Sequence, residues 1–167
     1  MDMRRRTISV TSCGLLFASL SATRVAVRVS APEACTLLTA ADASKALEAS
    51  SFPGKRLVES SPDGCVWSND PAASDSSRRV VLNTHTLRSF QAAKHPAITT
   101  IKIEPVAGIG DEAFYQIYPT GGPFLWAIKG NTAISIRILT RLKPSPFTAE
   151  QEKSKEVPLG KAAVSKL

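Results

Sequence analysis

The residues of this chain that could do chemistry are few: two histidines, three cysteines and a scatter of serines. Nucleophilic hydrolysis needs a serine or cysteine within hydrogen-bond reach of a base. His85 lies in a stretch that alternates like a strand, and His95 precedes Pro96. Neither has a cysteine, or a carboxylate at ligand spacing, beside it, so a zinc site would have to be gathered from distant segments. No metal and no cofactor is expected. The sequence contains no Gly-x-Ser-x-Gly elbow, no His-Glu-x-x-His pair and no phosphate-binding loop. A serine working with His85 or His95 is the one catalytic arrangement left open. Gly108-Ile-Gly110 has no third glycine at dinucleotide spacing and reads as a turn at positive φ. Asp111 and Glu112 are neighbours on an extended chain and point to opposite faces, which makes them a poor acid–base pair. A capped turn, or a salt bridge to a lysine, is the role expected of them. Tyr115 and Tyr118 flank a glycine-proline turn and are candidates to line a cleft. Trp67 and Trp126 stand at alternating strand positions and are expected in the core of one sheet layer.

The elements that position these residues begin after a leader. Arg4, Arg5 and Arg6 precede an uncharged apolar stretch, Ile8 to Leu20, and then small residues, Ser19, Ser21 and Ala22. This is the pattern of a secretory signal peptide over residues 1–31, with cleavage between 22 and 31. The 13 residues of the stretch fall short of the roughly 20 that a membrane span needs. Cys13 precedes most of the apolar run, whereas a lipid-attachment box follows it, so Cys13 is read as part of the leader. Residues 32–167 are then a single exported domain of periplasmic or extracellular location, without a transmembrane span.

Two cysteines remain, Cys35 and Cys65, and an even count in an exported chain argues for a disulfide. No Cys-x-x-Cys and no adjacent histidine marks the pair as redox-active. Of the 21 basic and 14 acidic residues, five arginines and one aspartate fall in residues 1–31, which leaves 16 basic and 13 acidic. A mature charge of +3 lacks the dense basic face of a nucleic-acid binder. Hydrophobic residues at 43% and charged residues at 21% are globular values that exclude disorder over the full length.

Thr39-Ala-Ala-Asp42 opens an alanine-rich helix, capped by Thr39, that ends near Ser50-Ser51. Lys55–Ser60 and Cys65–Asn69 flank Ser61-Pro62-Asp63-Gly64, a type I turn sequence. Pairing Ser60 with Cys65 sets Val58 opposite Trp67, on an inner face. Pro71–Ser77 is a loop, Arg78–Thr86 a strand with Val80, Leu82 and Thr84 on one face, and Leu87–Lys94 a short helix stopped by His95-Pro96. Thr99–Val106 and Ala113–Tyr118 are further strands. Phe124–Ile128 and Thr132–Leu139 form a hairpin. A three-residue loop, Lys129-Gly130-Asn131, aligns Trp126 with Ile134 and Phe124 with Ile136, and is preferred to a two-residue loop at Gly130-Asn131. Arg141–Pro146 is a linker. Thr148-x-x-Gln151 resembles a capping box that opens a polar C-terminal helix, which Pro158 should break or kink. The order predicts an α+β fold: a largely antiparallel sheet, a helix near each end packed on it, and one disulfide.

Cys35-Thr-Leu-Leu-Thr39 before an alanine-rich helix, Cys65-Val-Trp67 in the next strand pair, and Gly108-Ile-Gly-Asp-Glu-Ala113 before a strand together resemble a group of small exported bacterial domains of unknown function, often lipoproteins. The order is also distantly similar to the extracellular sensor domains of bacterial receptor serine/threonine kinases. The resemblance covers about residues 33–140. It implies an αβ fold with the two cysteines paired, and no established activity. The chain departs from the group in having no lipid-attachment box. The expectation is a non-catalytic binding or sensor-like domain of the cell envelope. Its partner would be an unknown small molecule or an envelope protein. The alternatives are a small hydrolase built on His85 or His95, and a structural or inhibitory partner that engages through an edge strand.

Overall fold

Seven antiparallel strands form one sheet in the order β1-β2-β3-β7-β6-β5-β4. The computed structural model describes residues 32–72, 77–140 and 145–167. The expected export signal with its cleavage window lies outside these residues, as do parts of the loop at Pro71–Ser77 and of the linker at Arg141–Pro146. In chain order the elements are α1 (Ala34–Leu37), α2 (Ala40–Leu47), β1 (Lys55–Val58), β2 (Ser61–Ser68), β3 (Arg78–Thr86) and α3 (Leu87–Lys94). There follow β4 (Lys102–Val106), β5 (Glu112–Tyr118), β6 (Gly122–Lys129), β7 (Thr132–Thr140) and α4 (Ala149–Val164). The sheet is two meanders, β1–β3 and β4–β7, joined where β3 and β7 pair from Arg78↔Thr140 to Thr86↔Thr132.

Strand alternation sorts side chains onto two faces. One face carries Cys65, Trp67, Val80, Leu82, Leu125, Ala127, Ile134, Ile136 and Ile138, and packs under α1, α2 and α4 as the main core. The other face carries a smaller cluster of Phe90, Phe114, Ile128 and Ala133 beneath α3, with Trp126 partly buried against it. Local chemistry sets the helix starts. Thr39 accepts from the Asp42 amide and Asp42 reaches back to the Thr39 amide at 2.9 Å, a capping box that starts α2. Thr148 and Gln151 do the same for α4. The disulfide Cys35–Cys65 ties α1 to β2, with Cα atoms 5.0 Å apart, inside the range such a bridge allows.

Three expectations are corrected. The first hairpin turns at Glu59-Ser60: Val58 pairs with Ser61 and Arg56 with Cys65, and the Ser61–Gly64 segment belongs to β2. Val58 is therefore 57% exposed. Pro62 costs the sheet nothing there, because β2 pairs with β3 only from Gly64 onward. The β6–β7 hairpin has the two-residue loop, pairing Lys129 with Thr132 and Trp126 with Ser135. Both faces of this sheet are covered at that point, so the large apolar residues need not align: Ile134 and Ile136 face α4 while Trp126 faces α3. Trp67 and Trp126 consequently lie on opposite faces rather than in one layer. Finally, α4 runs through Pro158 without a break. Pro158 and Ser154, whose carbonyl loses its usual donor, both lie on the exposed side of the helix, so the freed carbonyl is not sealed in the core.

Candidate functional site

One face is covered over its centre by α1, α2 and α4, whereas α3 packs on β3, β5, β6 and β7 and leaves the β1–β2–β3 end of the other face open. That end presents Lys55, Leu57, Val66, Ser68, Arg79, Val81, Asn83 and His85, each exposed or half-buried. Two cavities lie on it. One, of about 100 Å³, is bordered by Phe52, Lys55, Val66 and Arg79. The other, of about 330 Å³, is bordered by Leu57, Val58, Asp63, Gly64, Asn83 and His85. A third, of about 280 Å³, lies across the molecule between α2 and α4, beside Asp42, Lys45, Lys155 and Pro158.

His85 joins the open end to the part covered by α3. The β3–β7 register pairs His85 with Ala133, which sets Ser135 two positions along on the same face, and the His85 Nε2 lies 2.9 Å from the Ser135 Oγ. Its ring leans on Trp126 with centroids 4.5 Å apart. Burial lowers its pKa below the ordinary histidine value, with Asp63 pulling weakly the other way. The imidazole is thus neutral at neutral pH. A histidine beside a serine is the geometry of an activated nucleophile. Here Ser135 is buried in a strand flanked on both sides by β3 and β6, so the amides around it serve the two ladders. An oxyanion would find no preorganised donors there. His95 is exposed at the end of α3, and its described hydrogen bond is that of its backbone amide to the Gln91 carbonyl.

The remaining residues singled out from sequence serve the fold. Tyr115 is buried under α4 and its hydroxyl donates to the Lys153 carbonyl at 2.7 Å. Burial raises its pKa well above the usual phenol range. Tyr118 stands on the opposite face, edge-on to Phe124. The two tyrosines therefore share no cleft. The glycines of Gly108-Ile-Gly110 have φ of +76° and +60°. Asp111 accepts from the Gly130 amide at 2.7 Å and donates its own amide to the Ile128 carbonyl. Glu112 pairs with Lys94 of α3. The capped turn and the lysine salt bridge expected of these two acids are both present. Among the described residues no group of three or more histidine, cysteine, aspartate or glutamate side chains is arranged to hold a metal. No described helix is long and apolar enough to cross a membrane.

Sequence reasoning missed Asp63 and Asn83, because it put Asp63 in a turn and had no strand partner for Asn83. The fold, the open sheet end and the bridge define an α+β protein with one disulfide. Comparison of the chain with protein-family models, with curated proteins and with solved structures finds no match to any of them.

Proposed function

We propose that this is a non-catalytic binding or sensor-like domain of the cell envelope, exported by residues 1–31 and presenting the open end of its sheet to a ligand. The observation that carries the reading is the uneven cover of the sheet. Helices α1, α2 and α4 cover most of one face, while at β1–β3 the other face keeps half-buried polar and apolar side chains beside two cavities. Concave sites of this mixed character are where small ligands bind. The disulfide supports export, since such bonds persist in oxidising compartments. The resemblance to exported bacterial domains points the same way.

Native mass spectrometry of the protein purified from its own envelope tests the reading. A retained non-covalent mass is expected, together with shifts of β1–β3 amides when that compound is added back to stripped protein. A stripped protein that rebinds nothing from the envelope extract would refute it.

The His85–Ser135 contact favours a second reading, a small hydrolase. Turnover of a p-nitrophenyl ester that is lost in both Ser135→Ala and His85→Gln would establish it. The third reading, a partner added at an edge strand, finds little support. β4 carries Pro105, Lys102 and Glu104, and β1 is four residues long with an irregular register. Both are devices that discourage strand addition.

A further inference from the structure

We propose that the cavity over Gly64 takes a small free aliphatic amine, its ammonium against the Asp63 carboxylate and its alkyl chain against Leu57 and Val58. The inference rests on the binding reading above and gives it a ligand class.

The floor of the cavity is a missing side chain. Gly64 pairs with Asn83 across β2 and β3. A Cβ there would come within 2.8 Å of both Leu57 Cδ1 and Asn83 Oδ1. Glycine lets the Leu57 and Asn83 side chains close in over the strand, so that they stand as adjoining walls of the cavity. At about 330 Å³ the space is at the small end of ligand sites. The apolar wall is exposed to water: Leu57 is 44% and Val58 57% accessible. Covering such surface is favourable in proportion to its area.

The polar wall is under-used. The side chain of Asn83 makes no hydrogen bond among the described residues. Asp63 receives the Ser61 hydroxyl on Oδ2 at 3.2 Å, which leaves Oδ1 without a described partner. His85 engages Ser135 through Nε2, and its other ring nitrogen has no hydrogen-bond partner among the described residues. A donor-rich head group satisfies an open carboxylate oxygen and the Asn83 carbonyl together.

Charge selects the sign of the ligand. Asp63 is the one acidic side chain lining this cavity, and no lysine or arginine borders it. Lys55 and Arg79 border the smaller cavity instead. A carboxylate facing a half-enclosed space makes its strongest hydrogen bonds to cationic donors. No phenylalanine, tyrosine or tryptophan lines the cavity, so it lacks the aromatic cage that holds a quaternary ammonium. A primary ammonium on a few carbons fits the space and both walls.

Amide-resolved NMR titration of the disulfide-bonded protein with n-butylammonium chloride tests this, with sodium butyrate and Nα-acetyl-lysine methylamide as comparison probes. Saturable shifts at Gly64, Asn83 and His85 are expected with butylammonium and not with butyrate. Asp63→Asn removes an exposed charge and should weaken binding by about tenfold or more, the share of a charge-assisted hydrogen bond. Gly64→Ala meets only side-chain atoms, so it displaces Leu57 and Asn83 from the two walls and should weaken the response to butylammonium, with the spectrum otherwise preserved. Equal binding of butyrate, no saturable shift at millimolar amine, or unchanged affinity in Asp63→Asn would each overturn the proposal. Shifts with the lysine derivative but not with butylammonium would overturn it in favour of a lysine side chain on a partner. If an envelope ligand binds Asp63→Asn and Gly64→Ala as well as it binds the wild type, the amine site fails while the binding reading stands.

Discussion

At Gly110 the backbone has φ +60°, and an added Cβ would collide with the Ile128 carbonyl oxygen. At Gly108, two residues earlier, φ is +76° and nothing lies within 4 Å of the same atom. The pair separates backbone strain from steric overlap. Gly108→Ala should cost about 1 kcal/mol, the strain alone. Gly110→Ala should cost clearly more, beyond the ~1–3 kcal/mol of a strained residue. Urea unfolding of both variants measures the difference, and equal losses would mean that the loop relaxes freely. Glu156 is the other residue with a definite consequence. It is fully buried on the sheet-facing side of α4, its Oε1 accepts from the Ile138 amide at 3.0 Å, and its Oε2 has no partner among the described residues. Burial raises its pKa well above the ordinary carboxyl value, with Glu152 adding to the rise and the Ile138 amide and Arg137 opposing it. A raised acid binds more protons when folded, so its stabilisation is complete below the ordinary value of 4.5 and is lost as pH rises through the folded value. Glu156→Gln should therefore gain stability relative to wild type as pH is raised from acid to mildly alkaline. His85, whose pKa is lowered, acts in the opposite sense, and comparison at each pH cancels it. Parallel stability profiles for variant and wild type would contradict this account.

The two hairpins show what the elements add. Trp67 is 1% exposed on the face under α1, α2 and α4, while Trp126 is partly buried on the other face, between Phe114 and His85. Trp67→Ala should cost about 3–5 kcal/mol. Trp126→Ala should cost less, and should shift the histidine ring resonances of His85. Equal losses from calorimetry or urea unfolding would contradict the two-faced arrangement. Much of this layer was legible in the residues. Arg78–Thr86 and Leu87–Lys94 keep their expected bounds, because alternation and the Thr86 and His95-Pro96 boundaries are local features. The caps at Thr39 and Thr148 are local too. Hairpin register was not legible, because it depends on what covers each face. Aligning Trp126 with Ile134 is sound for a sheet with one buried face and wrong for one buried on both. Ser61-Pro62-Asp63-Gly64 has turn chemistry, yet the chain turns two residues earlier and keeps Cys65 and Trp67 on the inner face.

Across the whole molecule, the Cys35–Cys65 bridge joins the N-terminal helical turn to a strand of the first meander. It closes a loop with a sequence separation of 30. Replacing both cysteines by serine should lower stability by about 3–4 kcal/mol in the chain-entropy picture. The NMR response to butylammonium should remain, since the cavity lies on the opposite face of the sheet. A loss below ~1 kcal/mol by urea unfolding would mean that the unfolded chain is already restrained. The bridge could be expected from the sequence because only two cysteines remain once residues 1–31 are read as a leader. The sequence could not offer the His85–Ser135 contact, whose partners are 50 residues apart and meet only through the pairing of β3 with β7.

That pairing also governs how the chain can acquire its structure. β3 and β7 are sequence-distant neighbours at the centre of the sheet, and β7 is the last of the seven described strands in chain order. The first meander and its sulfur bridge can form early, but the half-finished sheet then ends at β3, with Val80 and Leu82 lacking their partners Ile138 and Ile136. Closing so long a loop late makes folding slow. Until it closes, β3 is an open template for the β7 of another molecule, so exchanged dimers are the characteristic failure of a crowded refolding mixture.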